Sequence, residues 1–384
     1  MRIGIEAQRL QRPHKHGMDR VALELIKNLQ EIDKKNEYFI FVKPDEDKKV
    51  ISNTSNFTVV EVSGGAYPIW EQVKLPKIAK SYNCDVLHCT SNTAPVFTKT
   101  PLITTIHDVI YMEGSLTSLL KSSASNYQKF GNLYRRLIVK NVVKKSKKVI
   151  TVSNYEKANI QNCFGLYEDQ ITAIHNGVSN QFLENIGLEH IERVKKEFNL
   201  PTKYAFHIAN KDPRKNTKRV LKAFQQFLRN ENLDFKLVML GCSDTELKIL
   251  LKEINATEVY NHILLPGYVS DEDLPVFYQL AQVFLFPSLK EGFGIPIIEA
   301  MASKVPVITS NVTAMPEVSG DAAHIVDPYS IDEISNAMVK ITSNQKYKNE
   351  LIEKGVKQFK NFSWNAMAMQ VLEQYNQLFQ EQKR

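Results

Sequence analysis

The chain has 384 residues, of which 43% are hydrophobic and 24% charged, with a formal net charge of +7 and an isoelectric point of about 8.9. That length exceeds what one compact core holds and predicts two domains, while the composition excludes a disordered, collagen-like or disulfide-stapled chain. No run of about 18 apolar residues is present to span a bilayer, and Met1 leads straight into a strand-like stretch without the basic and apolar regions of a signal peptide, so a cytoplasmic protein is expected.

Short β-branched runs separated by helical patterns begin with RIGIEA and continue through YFIFVK, FTVVEV, CDVLHCT, PLITTIHD, KKVITVS and QITAIHNG. A second series holds YAFHIAN, FKLVMLG, HILLPGY, QVFLFPS, VPVITS and AHIVD. Strands alternating with helices predict parallel sheets covered on both faces. Two such series predict two doubly wound domains, with the seam between Asn176-Gly177 and Pro201. The pattern LEHIERVKKEFNLP predicts a helix closed by Pro201. The final SWNAMAMQVLEQYNQLFQ predicts an amphipathic helix with Ser363 at its N-cap.

Between Gly114 and Ile150 nine Lys or Arg occur and no Asp or Glu. Tyr127, Phe130, Tyr134, Leu137, Ile138 and Val142 recur there at helical spacing. Lys129, Arg135, Arg136, Lys140, Lys144, Lys145, Lys147 and Lys148 take the other positions. Such a helix either packs on the core with a solvated basic edge or lies, over 127–148, against anionic lipid. The preceding SLTSLLKSSASN reads as a mobile loop of the kind that carries binding sites.

No GxGxxG follows a strand and no GxxxxGK[ST] exists, which argues against a dinucleotide dehydrogenase and a P-loop NTPase. Cys84, His88 and Cys89 lack a fourth ligand for zinc, so buried free thiols are expected. The acidic triplets at 45–47 and 271–273 read as a polar loop and, through Ser270 and Asp273, as a helix cap; no metal is expected. Charge alone suggests nucleic acid, but stacking-aromatic motifs are missing.

LKEGFGIPIIEAMASKVPVITS, residues 289–310, sets Glu291 and Glu299 eight positions apart around a glycine turn. Gly292 and Gly294 permit positive φ and close approach of a ligand to the backbone. Pro296 suits a helix start, whose amides hold anions, and Glu299 is expected in the first helical turn. Carboxylates accept paired hydroxyl hydrogen bonds, which suits sugar or ribose diols. In ANKDPRKN, Arg214 and Lys215 lie before a helix, where fixed cations stabilise a departing diphosphate. His107 ends the strand PLITTIH, and Gly17 shapes the loop HKHGMDR.

EGFGIPIIEAMASKVPVITSNVTAMPEV resembles the E-x7-E segment of the retaining family 4 glycosyltransferases, which have the GT-B fold. The resemblance extends over nearly the whole chain. HGMDRVALELIKNL is similar to that family's amino-terminal glycine loop and helix. TTIHDVIY resembles its histidine motif, and TVSNYEKANI, IHNGV, DPRKNTKRVLKAF and LPGYVSDEDLPVFYQLAQVFLFPS resemble later landmarks.

The resemblance implies two Rossmann-like doubly wound domains facing across a cleft, with the last helix crossing back to the first. The domains are then 1–180 with 363–384, on the acceptor side, and 181–362, for the nucleotide-sugar. It also implies a hexosyltransferase of surface polysaccharide or glycolipid assembly, with GDP-mannose or a UDP-hexose as donor and a glycan or lipid-linked saccharide as acceptor. On this chain Glu291 then binds donor-sugar hydroxyls, Glu299 the ribose, and Lys215 the diphosphate. Backbone amides of Gly292, Phe293, Gly294 and Ile295 meet sugar or diphosphate, His107 lines the donor sugar, and Gly17 approaches the diphosphate or acceptor. Where many members carry an arginine after the preceding strand, this chain has Asn210, beside Lys211 and near Arg214. A nucleotide-sugar epimerase of the same fold, or a non-catalytic sugar-nucleotide binding module, is the alternative.

Overall fold

A computed structural model describes residues 1–15, 17–113, 126–230 and 234–383. They form two compact units, Met1–Asn176 with Trp364–Arg384 and Gly177–Ser363.

The first unit is built on seven strands: β1 (Arg2–Glu6), β2 (Glu37–Val42), β3 (Phe57–Glu61), β4 (Val86–Cys89), β5 (Leu102–Thr105), β6 (Lys148–Thr151) and β7 (Ile171–Ala173). They pair in the order β3-β2-β1-β4-β5-β6-β7, every pair parallel. Helices cover both faces of such a sheet, so β4 and β5 are buried throughout and read as unbroken runs instead of alternating ones. Gly4 in β1 is a packing requirement, because a Cβ there would lie 2.7 Å from the Phe41 ring.

The carboxyl-terminal helix Trp364–Lys383 is part of this first unit. Its buried Met367 and Val371 share a small cavity with Val21, Ala22 and Leu25 of the helix Gly17–Ile32. It is also anchored by polar contacts: the Tyr375 hydroxyl meets His88 Nδ1 at 2.6 Å, and Glu381 pairs with Lys148 at 3.0 Å. The other His88 nitrogen meets Thr105 Oγ1 at 2.8 Å. Both ring nitrogens of His88 are thereby occupied, and Cys84 and Cys89 are buried free thiols.

The second unit holds β8 (Tyr204–Ile208), β9 (Lys236–Leu240), β10 (Ile263–Leu264), β11 (Val283–Phe286), β12 (Val307–Ser310) and β13 (His324–Val326). Their order is β10-β9-β8-β11-β12-β13, again all parallel. In each sheet the chain winds outward from one central strand and then restarts on its neighbour. The turning points are β1 beside β4 and β8 beside β11. Loops after such strand pairs diverge and leave a crevice at the carboxyl ends, where ligands of doubly wound sheets bind.

Two local expectations need correction. The helix Leu188–Glu197 is stopped by Asn199, not Pro201: Asn199 takes a left-handed φ of 49°, and the Leu200 amide donates to the Lys195 carbonyl at 3.0 Å. The helix Asn126–Lys145 turns Tyr134, Ile138 and Val142 inward, but Phe130 and Leu137 are 57% and 64% exposed. They do not join the core face. Up to Asn126, the segment SLTSLLKSSASN lies outside the described residues.

Buried ionisable groups make stability depend on pH in two opposing ways. Burial brings His88 down to about 3 and His207 down to about 4. Their contribution is complete above the unfolded value of about 6.5 and is lost as pH falls from there toward the folded values. Burial raises Glu6 to about 7 and Glu156 to about 8. Their contribution is complete below the unfolded range near 4.5 and is lost as pH rises through the folded values. Stability should therefore pass through a maximum between about pH 5 and 6.5 and fall toward both pH 4 and pH 8. A urea-midpoint series across that range measures it, and a steady rise from pH 5 to 8 would contradict the assignment.

Candidate functional site

The turning point of the second sheet is closed by two loops of different sequence origin. After β8 the chain runs through Asn210, Lys211 and Asp212 into a short 3-10 turn, Pro213–Lys215. Asn216 follows with a left-handed φ of 61°, and the helix Thr217–Asn230 begins. Asparagine tolerates this conformation because its short side chain satisfies nearby backbone. Here Asn216 Nδ2 donates to the Pro287 carbonyl at 2.9 Å and the Pro328 carbonyl at 2.7 Å. The Leu289 amide donates to the Arg214 carbonyl at 2.7 Å. Backbone and side-chain bonds thus stitch the loop after β8 to the loop after β11.

This stitching brings Lys215 and Glu291 together. Lys215 Nζ lies 2.6 Å from Glu291 Oε1, and the side chains keep only 23% and 14% of their exposure. The ammonium also sits 5.1 Å from the centre of the Phe286 ring, a cation–π placement. The Glu291 amide donates to Thr313 Oγ1 at 3.2 Å, which adds the loop after β12. Two residues 76 positions apart in sequence therefore present a cation and a carboxylate at one point beside the strand ends.

The glycine turn differs in detail from its sequence reading. The left-handed conformation falls on Gly294, with φ 105°, which is the N-cap of the helix Ile295–Ala302. Pro296 is the second helical residue, and Glu299 lies beyond the first turn. Its position is therefore not explained by the helix dipole, which acts within the first turn. Glu299 is 4% exposed, and its Oε2 accepts from the Tyr278 hydroxyl at 3.0 Å. Phe293 turns its ring into the interior against Phe362, so its backbone is what the turn offers. Gly292 precedes it, and Ile295 is half-buried.

The other cations of this segment are engaged. Asp212 accepts from the Arg214 amide at 3.0 Å and from its Nε at 2.9 Å. Burial raises the Asp212 carboxyl, but these bonds win and hold it below its usual range. Lys211 pairs with Glu246, and Asn210 Oδ1 accepts from the Asp212 amide at 3.0 Å. Asp212, Asn216, Tyr278 and Thr313 were not singled out from sequence. Asn216 carried a local signal, an asparagine directly before a helix. Tyr278 and Thr313 carried none, because only the fold brings them near.

His107 and Gly17 belong to the first unit. The His107 amide donates to Asn92 Oδ1 at 2.6 Å, and Nε2 lies 2.8 Å from the Thr90 carbonyl. A carbonyl only accepts, so Nε2 carries the proton and Nδ1 is the acceptor. Burial holds the ring below its usual pKa, outweighing the Thr90 carbonyl, which pulls the other way. Gly17 opens the helix Gly17–Ile32, and a Cβ there would meet nothing within 4 Å.

The acidic triplets are structural where described. Asp273 accepts from Ser270 Oγ at 2.9 Å and pairs with His190 at 2.8 Å and with Arg193, while Asp47 pairs with Lys15 at 2.6 Å.

Comparison with known proteins extends this picture. The family described as Glycosyl transferases group 1 matches residues 189–358, and that described as Glycosyltransferase Family 4 matches residues 16–182. The O-antigen chain mannosyltransferase B of Escherichia coli is 32% identical over 233 residues, which make up 61% of this chain and 61% of that protein. The chain thus matches less than two thirds of that relative's length. A glycosyltransferase from Rickettsia africae ESF-5 matches with a TM-score of 0.74 at 20% identity, over 98% of each chain. Anabaena Alr3699/HepE, in complex with UDP-glucose, matches with a TM-score of 0.73 at 15% identity, over 98% of this chain and all of its own. These structural likenesses show the fold: two parallel α/β Rossmann-like units of the GT-B kind.

Proposed function

Because the chain belongs to glycosyltransferase family 4, we propose that it is a retaining hexosyltransferase, with its donor site at the turning point of the second sheet. The observation that carries this reading is the Lys215–Glu291 contact beside the ends of β8 and β11. Lys215 pairs with the donor's diphosphate, and Glu291 accepts from hydroxyls of the donor sugar. Glu299, oriented by Tyr278, takes the ribose diol. The amides of Gly292, Phe293, Gly294 and Ile295 face the sugar or diphosphate at a helix start, where the dipole favours anions. Arg214 and Lys211, held by Asp212 and Glu246, act behind Lys215 and do not replace the family's arginine at Asn210.

In the reaction, the acceptor oxygen bonds to the anomeric carbon as that carbon's bond to the phosphate oxygen breaks. The departing phosphate takes the acceptor proton, and attack from the leaving-group side retains configuration. Charge builds on the diphosphate, so a fixed cation there helps the transition state more than the ground state. No metal is required, since Lys215 and the helix amides carry that charge. His107 is neutral and serves as a hydrogen-bonding group, not as a base. The donor is GDP-mannose or a UDP-hexose. The likeness to an O-antigen mannosyltransferase favours mannose and a polysaccharide or lipid-linked acceptor.

A second reading concerns where the enzyme works. Phe130, Leu133 and Leu137 are exposed at spacings of three and four along the helix Asn126–Lys145, and Lys140 and Lys144 continue that face. Apolar residues followed by cations on one face suit an anionic membrane surface. Lys148 is not part of it, being paired with Glu381, and Arg136 is bound to the Tyr111 carbonyl. Among the described residues, no helix is long and apolar enough to cross a membrane; the contact proposed is a peripheral one.

The site reading predicts that Glu291→Gln keeps its fold but loses transfer. Loss of a charge-assisted hydrogen bond costs about 1.5–3 kcal/mol, so kcat/KM should drop roughly 10- to 150-fold. Wild-type transfer should survive EDTA. Unchanged kinetics of Glu291→Gln, or activity lost to chelation and restored by Mn²⁺, would contradict the assignment. The membrane reading predicts that Phe130→Ser/Leu137→Ser and Lys140→Gln/Lys144→Gln each reduce flotation with anionic vesicles. Each cation is worth about 1 kcal/mol near such a surface. A wild type that never floats, or variants that float equally, would remove it.

A further inference from the structure

We propose that a pocket in the first unit binds a phosphate-bearing saccharide as the acceptor, through Arg9, Arg12, Lys43 and Arg135. This rests on the reading of the chain as a glycosyltransferase and names the acceptor's chemical class.

The pocket has a volume of about 520 Å³ and lies at the turning point of the first sheet. Arg9 and Arg12 follow β1, Lys43 follows β2, Ser91 and Thr93 follow β4, and Arg135 comes from the helix Asn126–Lys145. Four cations therefore converge from separate elements on the carboxyl ends of the central strands, where ligands of such sheets bind. Asp45 is the one carboxylate among the residues lining the pocket. Arg9 bonds the Tyr67 side chain and is drawn by the negative charges of Glu6 and Asp19, so it is already partly compensated. Two of the cations are restrained by rings: the Arg9 guanidinium lies 5.6 Å from the Tyr67 ring centre, and that of Arg135 lies 5.4 Å from the Tyr111 ring centre. Arg135 Nε is buried and has no hydrogen-bond partner among the described residues. A buried donor left unmade costs free energy, and a ligand oxyanion would satisfy it. Planar guanidinium forks match phosphate oxygens in pairs.

The wall beside the cations suits a sugar. Tyr67 and Tyr134 meet edge to face with centroids 5.9 Å apart. Both hydroxyls donate to the fully buried carboxylate of Glu71. Glu71 thereby orients the rings, while the Tyr134 hydroxyl oxygen also accepts from Gln72 Nε2 at 2.8 Å and the Tyr67 hydroxyl meets Thr93 Oγ1 at 2.6 Å. Ser91 and Thr93 add hydroxyls on the strand side. A neutral glycan makes no use of four cations, and a bare phosphate makes none of the aromatic and hydroxyl wall. A phosphate ester on a sugar uses both.

Calorimetry at low salt tests the site with three probes: mannose 6-phosphate, a hexose linked to a short prenyl diphosphate, and methyl mannoside. At least one phosphate probe should bind at least tenfold tighter than methyl mannoside. The stronger of the two assigns the source, soluble or lipid-linked. Arg9→Gln/Arg135→Gln should weaken that binding tenfold or more while leaving nucleoside diphosphate affinity unchanged. If that variant does not fold, Arg12→Gln/Lys43→Gln, away from the buried guanidinium, should weaken it at least threefold. Phosphate probes that bind no tighter than methyl mannoside, or a folded variant that binds them like wild type, would overturn the proposal. A wild type that binds the phosphate probe but no nucleoside diphosphate would leave the pocket standing and defeat the transferase reading instead.

Discussion

A parallel sheet wound in two directions cannot cover the ends of its central strands, because the loops that leave them travel to opposite sides. In this protein that constraint operates twice, at β1 with β4 and at β8 with β11. In the second unit the strand ends carry the ion pair of Lys215 with Glu291, whose partners arrive on the two diverging loops. The first unit's turning point gathers four cations and Asp45, with Glu6 and Asp19 near enough to act on Arg9. Topology sets where each proposed site lies, and the residues on the loops decide which chemistry it could support.

The pair is informative because of what holds it. Each partner is mostly buried, so water screens it weakly and desolvation costs both charges. The arrangement is tolerated because Asn216, Leu289 and Thr313 fix the loops on which it sits. A nucleoside diphosphate would offer Lys215 a stronger anionic partner and free Glu291 to accept from sugar hydroxyls. The pair keeps both groups in place with their charges balanced. That is the preorganisation a site needs if its electrostatic help is to cost little at the moment of reaction.

Much of this was legible in the sequence, for identifiable reasons. Among the described residues, all thirteen strands fall on apolar runs visible by eye, most plainly the central ones such as β4, β5, β11 and β12, which are buried throughout and cannot hide their composition. Glu291 and Lys215 stand out because glycine, proline and charge cluster around them. Their mutual contact was not legible, since it depends on the register of β8 beside β11. Asn199 outcompeted Pro201 as a helix stop because a left-handed residue ends the last turn before the proline is reached. Glu299 fell outside the first helical turn because the helix begins at Ile295, directly after the left-handed Gly294. Phe130 and Leu137 matched the helical period yet face outward, because periodicity identifies a stripe without saying what covers it. Arg9 gave no signal and Arg135 stood out only as one cation of a basic helix; the folding of the first sheet brings them to one pocket.

The most direct measurement is calorimetric binding of a nucleoside diphosphate and of the matching nucleoside to wild type and to Lys215→Ala. If Lys215 is the diphosphate cation, the substitution weakens the diphosphate by roughly tenfold or more, the loss of one charged hydrogen bond, and leaves the nucleoside nearly unaffected. Equal weakening of both ligands in a folded variant would assign Lys215 to holding Glu291 and the loops, and would contradict the account.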